Sequence, residues 1–312
     1  MQKYRLEGVH AFNGTFWYRS CFYHELMFAV GAFDIDGREL LLEDFIYYGK
    51  NFSIKSESMP RSKLYKSMGF YLQHINVSDL DTAAQYIDQG CPLLVGVDAF
   101  YYTARDDFYG KHHSTHFVLV YGYDKAKCTF NIIDHEYNNS YIFKEKEWNA
   151  NDILYASQKY AEGICEHKHT SFLLKRCRPI GEGIYDQIAN HSELLDKSAE
   201  NFERDMCKLK TYLYTNQEGL SKYCKKISAF FYTAHRKRAC LAESTIGKKC
   251  SKLKNLLYEI SSMHAFFRAV FLKLEWWNDY KFVEKNKAML CTKVDELQMA
   301  EKRFFDEVKV LL

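Results

Sequence analysis

The stretch 116–134, HFVLVYGYDKAKCTFNIID, reads as two apolar strands joined by a polar turn, and it decides the fold class. Residues 116–123 and 128–134 are rich in β-branched and aromatic side chains, while Asp124-Lys125-Ala126 interrupts them with turn formers. Upstream, Leu93-Leu94-Val95-Gly96-Val97 follows Pro92 and reads as a further strand. Before it, Ser78-Asp79-Leu80-Asp81 has the form of a capping box for a helix that ends at Gly90. Further back, Ser20 can cap a helix over 21–31 that carries Phe22, Leu26 and Val30. Helix, strand and hairpin in this order predict an α+β domain.

Downstream the pattern changes. Pro60, Pro92 and Pro179 are the only prolines, so the chain beyond Pro179 lacks the strongest helix breaker. Leu195, Phe202, Met206, Leu209 and Leu213 recur at helical spacing, as do Leu253, Leu257, Ile260, Phe267, Phe271 and Leu274, and then Leu290, Val294, Leu297, Phe304, Val308 and Leu311. Short breaks at 215–219, 244–247 and 277–279 divide a bundle of three to five helices. Charge divides at the same place: residues 180–312 hold 23 Lys and Arg against 18 Asp and Glu, whereas residues 1–179 hold 20 against 22. The expected domains are therefore 1–178 and an all-helical 179–312.

The 312 residues are 47% hydrophobic with only 3 Pro and 15 Gly, which excludes disordered, collagen-like and low-complexity chains. The first residues, MQKYRLEGVHAFNGTF, lack a basic stretch followed by an apolar run, and no segment approaches the ~20 apolar residues that span a bilayer. A cytoplasmic protein without membrane association is expected, its ten cysteines reduced.

Three residues suggest chemistry. If the hairpin turn centres on Lys125, His116 and Asp134 face each other directly, with Cβ atoms roughly 5 Å apart. The carboxylate then fixes one imidazole nitrogen and leaves the other as a base, whereas a slip of one residue would put the two on opposite faces. Cys21 lies where a helix begins, and a helix N-terminus favours a thiolate. Cys21, His116 and Asp134 are thus candidates for nucleophile, base and orienting carboxylate. The same residue types also serve as a small buried hydrophobe and a structural His–Asp pair.

Cys21 at a helix start, Val97-Asp98-Ala99-Phe100-Tyr101-Tyr102, the 116–124 strand and Ile132-Ile133-Asp134 together resemble the papain-fold, butirosin-type aminoacyltransferases, a grouping similar to the C39 cysteine peptidases. The resemblance spans roughly residues 8–140. In its low-proline, Lys- and Tyr-rich character the chain is also similar to the amide-forming ligases of closthioamide-type, thio-templated polyamide assembly. What the resemblance implies is a papain-like N-terminal domain that takes an acyl group from the phosphopantetheine thioester of an acyl or peptidyl carrier protein. An amine then receives it in natural-product biosynthesis, and the enzyme needs no cofactor of its own. Cys21 would be the nucleophile, His116 the general base and acid, and Asp134 its orienter, with Asp98, Tyr101, Tyr102 and Trp17 lining the substrate cleft. The family's side-chain amide ahead of the nucleophile is missing, since Thr15 stands six residues before Cys21. Asn13 is the nearest amide and the oxyanion candidate, or else a turn former before Gly14.

Other signals are weaker. The histidines of Lys111-His112-His113-Ser114-Thr115-His116 and of Cys165-Glu166-His167-Lys168-His169 lack paired ligand spacing, so no metal is assigned. Lys222, Lys225, Lys226, Arg236, Lys237, Arg238, Lys248, Lys249, Lys252 and Lys254 form a basic cluster that suits a solvated helix face or an acidic carrier protein, and nothing else points to nucleic acid. A homo-oligomer is compatible with the sequence and not required by it. The rival functions are a C39-like peptidase using the same three residues and a non-enzymatic helical assembly or binding protein.

Overall fold

In the computed structural model the strand that carries His116, β6 (Thr115–Asp124), is the longest of the described strands, and the sheet is built outward from it. The structure describes residues 3–12, 20–44, 47–55, 61–136, 142–164, 170–179, 181, 192–215, 217–244, 247, 250–277 and 279–311. Along its first half β6 pairs with β5 (Leu93–Asp98), and along its second with β7 (Thr129–His135) and the short β1 (Lys3–Arg5). Beyond β7 lies β8 (Phe143–Asn149); beyond β5 lie β9 (Ser171–Arg176) and then β4 (Phe70–Ile75). Every pairing is antiparallel. The helices of this unit are α1 (Cys21–Ala29), α2 (Arg61–Ser67), α3 (Leu80–Asp88) and α4 (Ala150–Gly163). The architecture is α+β, as the sequence predicts, with a helical C-terminal region.

The helix starts are local chemistry. Asp79, not Ser78, occupies the cap of α3, its carboxylate accepting the Thr82 backbone N–H at 2.7 Å. Ser20 precedes α1 with extended backbone and makes no side-chain cap bond, but its carbonyl accepts the Tyr23 amide at 2.9 Å. Leu26, Met27 and Phe28 of that helix and Val30 just after it are buried, and the helix packs on β6.

The hairpin differs from expectation in its turn. Asp124 faces Thr129, so the loop has four residues, and the Asp124 carboxylate accepts the Ala126 and Lys127 amides at 3.0 and 3.2 Å. Tyr123 faces Phe130 and Gly122 faces Asn131, but Val120 faces Ile132, so Tyr121 is the extra residue of a β-bulge. Continued along the strands, this register sets Asp134 opposite residue 118, two places from His116. The pair is therefore diagonal rather than direct, yet on one face of the sheet. Without the bulge Asp134 would stand opposite residue 119, an odd number of places from His116, and the two side chains would leave on opposite faces. Gly122 is required there: a Cβ would lie 2.6 Å from both Arg5 Cβ and Asn131 Oδ1. Gly122→Ala is expected to destabilise the fold by about 1–3 kcal/mol, read as a lowered urea midpoint, because Arg5 Cα, 2.9 Å from the added Cβ, is backbone of the paired strand β1.

The chain divides into two compact units, Met1–Glu39 with Pro60–Gly181 and Leu40–Met59 with Glu182–Leu312. The expected boundary at 178 lies close to the observed one, but residues 40–59, which the sequence reading places in the first domain, belong to the second. That unit holds α5 (Ser192–Thr215), α6 (Gln217–Glu243), α7 (Ser251–Trp277) and α8 (Tyr280–Leu311) together with the hairpin of β2 (Tyr47–Gly49) and β3 (Ser53–Lys55), so it is not all helical. The hairpin is tied in by polar contacts that periodicity does not reveal. The Ser198 hydroxyl accepts the Tyr48 amide at 2.7 Å, and Asp205 accepts the amides of Asn51 and Phe52, both at positive φ in the turn. Arg238 also departs from expectation: it is fully buried against Glu301 and does not belong to the basic surface. No helix among the described residues is long and apolar enough to cross a membrane.

Candidate active site

The structure brings Cys21, His116 and Asp134 together from α1, β6 and β7. His116 Nε2 is 2.8 Å from Asp134 Oδ1, with the imidazole 4% exposed and the carboxylate completely buried. Asp134 is held on three sides. Its Oδ1 also accepts the His135 amide at 2.7 Å, its Oδ2 accepts the Tyr102 hydroxyl at 3.0 Å, and Lys146 adds positive charge. Burial alone would favour the neutral acid, but the charge and hydrogen bond of His116 prevail and bring Asp134 down to about 2.

With Nε2 taken, Nδ1 is the nitrogen left for the Cys21 thiol, which hydrogen-bonds His116 and is partly exposed. Burial raises a thiol pKa, yet His116 and the backbone amides of Phe117 and Phe22 outweigh it and hold Cys21 below the ordinary thiol range. The imidazole responds in the opposite sense. Burial pulls it down, but Asp134 and Cys21 push it up to about 9. The arrangement therefore shifts the pair toward a thiolate beside an imidazolium, which is a nucleophile with a proton donor in contact.

Comparison with models of known protein families gives no match, and comparison with curated proteins gives none either. The chemistry of the site thus rests on its geometry.

The other expected site residues fall into three groups. Asn13 and Trp17 lie outside the described residues, as does 165–169. Tyr102 does not line a cleft: it is fully buried and holds Asp134 from behind. Asp98 and Tyr101 belong to a different cluster. Val97 is the β-partner of His116, so Asp98, one residue on, points to the other face. There it accepts the Phe100 amide at 3.0 Å and meets His113 Nδ1 at 2.7 Å, while Phe100 stacks on the His113 ring at 4.3 Å and Tyr101 packs on Tyr155. Asp98 organises the loop between β5 and β6 instead of touching the thiol.

Two residues of the site were not singled out from sequence. Glu25, one turn after Cys21 on α1, is completely buried, and its carboxyl oxygens have no well-formed hydrogen bond. Burial and the nearby charges of Asp134 and Cys21 push it well above the ordinary carboxylate range, only partly offset by the Leu119 amide and Lys146, which favours its neutral form beside the ionised Asp134. The i, i+4 spacing from Cys21 was available as a signal. Arg105, in the loop between β5 and β6, places Nη1 3.5 Å from His116 Nδ1, and nothing in its sequence surroundings marks it. Among the described residues no group of three His, Cys, Asp or Glu side chains could hold a metal ion.

Proposed function

We propose that the protein is a cysteine-dependent acyltransferase that forms amides from carrier-bound thioesters, on a papain-like N-terminal fold. The observation that carries this reading is a partly exposed thiol with a lowered pKa, in contact with an imidazole raised to about 9 by a buried, triply held carboxylate. A cysteine at the start of a helix packed on an antiparallel sheet whose neighbouring strands supply His and Asp is the arrangement expected of that fold.

The residues present account for each proton. The Cys21 thiolate attacks the thioester carbonyl, and collapse of the tetrahedral adduct breaks the bond to the pantetheine sulfur, which takes the His116 proton. The neutral imidazole then removes a proton from the amine as its nitrogen attacks the acyl-enzyme, and the Cys21 thiolate leaves. Thioester and amine become amide and thiol, with His116 restored as imidazolium. An acyl or peptidyl carrier protein presents the donor thioester, and the narrower kinship with amide ligases of thio-templated polyamide assembly belongs to the same reading.

Incubation of the protein with an acylated carrier protein is expected to add the acyl mass to Cys21, seen by intact mass and located by peptide mapping, and a primary amine is expected to discharge it as an amide. Cleavage of test peptides without amide formation would favour a C39-like peptidase. Failure of thioesters to load and of peptides to be cleaved would leave a binding protein.

A further inference from the structure

We propose that Arg105 is a catalytic residue whose Nη1 donates to the oxyanion formed when the Cys21 sulfur attacks an acyl group; this rests on the acyl-transfer reading. The side chain is held for that role. Its Nε and Nη2 form a two-point pair with the Asp107 carboxylate at 3.0 and 2.9 Å, and the guanidinium lies over the Phe108 ring, 5.0 Å from its centre. Those contacts fix the plane of the fork and occupy one edge of it. Nη1, on the other edge, reaches 3.5 Å from His116 Nδ1, the nitrogen that serves Cys21. Arg105 Nη1 and the Cys21 sulfur thus share one imidazole nitrogen as neighbour, and the charge of Cys21 acts on the guanidinium.

The chemistry follows from where charge appears. When sulfur attacks, the carbonyl π pair moves onto oxygen, two bonds away from Sγ, and the N–H held beside the imidazole nitrogen that serves Sγ is the side-chain donor aimed at that region. Before attack, the negative charge of Asp107 largely balances Arg105, which limits repulsion of the neighbouring His116 cation. During attack, a fixed guanidinium only 15% exposed meets a new negative charge in a poorly hydrated place, where such a donor is worth more than it is in water. Arg105 thus takes the place of the side-chain amide expected ahead of the nucleophile, from a different part of the chain. It also acts at both tetrahedral steps, loading and aminolysis, since both pass through an oxyanion on the same carbon.

The test compares two reactions of Cys21 that differ in whether an oxyanion forms. Acyl loading from S-acetyl-N-acetylcysteamine passes through one; alkylation by iodoacetamide, a displacement at carbon, does not. In single-turnover measurements on the full chain, Arg105→Met is expected to slow loading by roughly 10²–10³-fold at saturating thioester. Its alkylation rate, taken at a pH where the thiolate is fully formed, is expected to match that of the wild type. Arg105→Lys, which keeps the charge without the fork, is expected to recover part of the loss. Equal loss in loading and alkylation would show a merely structural role and overturn the assignment. A raised half-saturation concentration with unchanged maximal rate would make Arg105 a ground-state binder and overturn it too. Rapid loading by Arg105→Met would remove Arg105 alone and leave acyl transfer standing. A wild-type protein that alkylates normally but accepts no acyl group from any thioester would remove the acyl-transfer reading and this assignment with it.

Discussion

Cys21→Ala is expected to abolish acyl loading while leaving the fold intact. Removal of the nucleophile from a coupled Cys–His pair leaves no covalent route, and in enzymes of this chemical type such a change costs roughly 10⁶-fold in kcat, below detection in a mass assay. The side chain is small and partly exposed, so the cavity it leaves is minor and circular dichroism is expected to match that of the unaltered protein. The pH profile supplies a second reading of the same pair. Cys21 is held below the ordinary thiol range and His116 is raised to about 9, so both shifts favour the thiolate–imidazolium pair over the neutral one. Alkylation of Cys21 is therefore expected to persist to lower pH than that of an ordinary thiol. Loading is expected to fall as pH rises through about 9, because His116 loses the proton that the leaving sulfur needs, whereas alkylation, which needs only the thiolate, does not fall. Asp134→Asn removes the charge that holds His116 up, so the same fall is expected at lower pH. Unimpaired loading by Cys21→Ala would mean that another group is the nucleophile.

Much of the site is local in origin, and that part was legible. The start of α1 at Cys21, the strand that carries His116 and the partner strand that carries Asp134 all follow from short-range periodicity and turn residues. Their register did not. It depends on one extra residue at Tyr121, which becomes visible only when the strands are paired, and two errors of the simple turn model, in loop length and in straightness of the strand, cancel in parity so that His116 and Asp134 still share a face. The family resemblance places Tyr102 in the cleft with Asp98 and Tyr101, yet irregular backbone after β5 turns its hydroxyl inward to Asp134. Arg105 lies in that same loop, where no periodicity constrains direction. Sequence adjacency puts residues 40–59 in the first domain, but their place is set by side chains more than a hundred residues away, such as Ser198 and Asp205. Long-range polar pairing of this kind leaves no spacing pattern.

The same limit applies to the largest stability effect expected of the helical unit. Arg238, Glu301, His264 and Tyr48 meet in its core, all but excluded from water. Arg238 Nε and Nη2 donate to the two Glu301 oxygens at 3.1 and 2.7 Å, His264 Nε2 lies 2.9 Å from Oε1, and the Tyr48 hydroxyl donates to the same oxygen. The guanidinium is also 4.0 Å from the centre of the Phe304 ring. Burial opposes ionisation of Glu301, but the charge of Arg238 overcomes it and brings the carboxyl down to about 2. Since the folded value lies below the unfolded one, this contribution is complete above the ordinary carboxylate range and is lost as pH falls toward 2. Glu301→Gln keeps the shape but leaves a buried guanidinium with no counter-charge, so a loss of about 3–5 kcal/mol is expected. At a urea dependence of roughly 2 kcal/mol per molar, that moves the unfolding midpoint by about 2 M, measured by circular dichroism. The double variant Arg238→Met with Glu301→Leu removes both charges together and is expected to regain most of the loss, because each ion is costly in that core only without the other. If Glu301→Gln shifts the midpoint by less than about 0.5 M, the core tolerates an unpaired cation and the network is not what holds the β2–β3 hairpin to the helices.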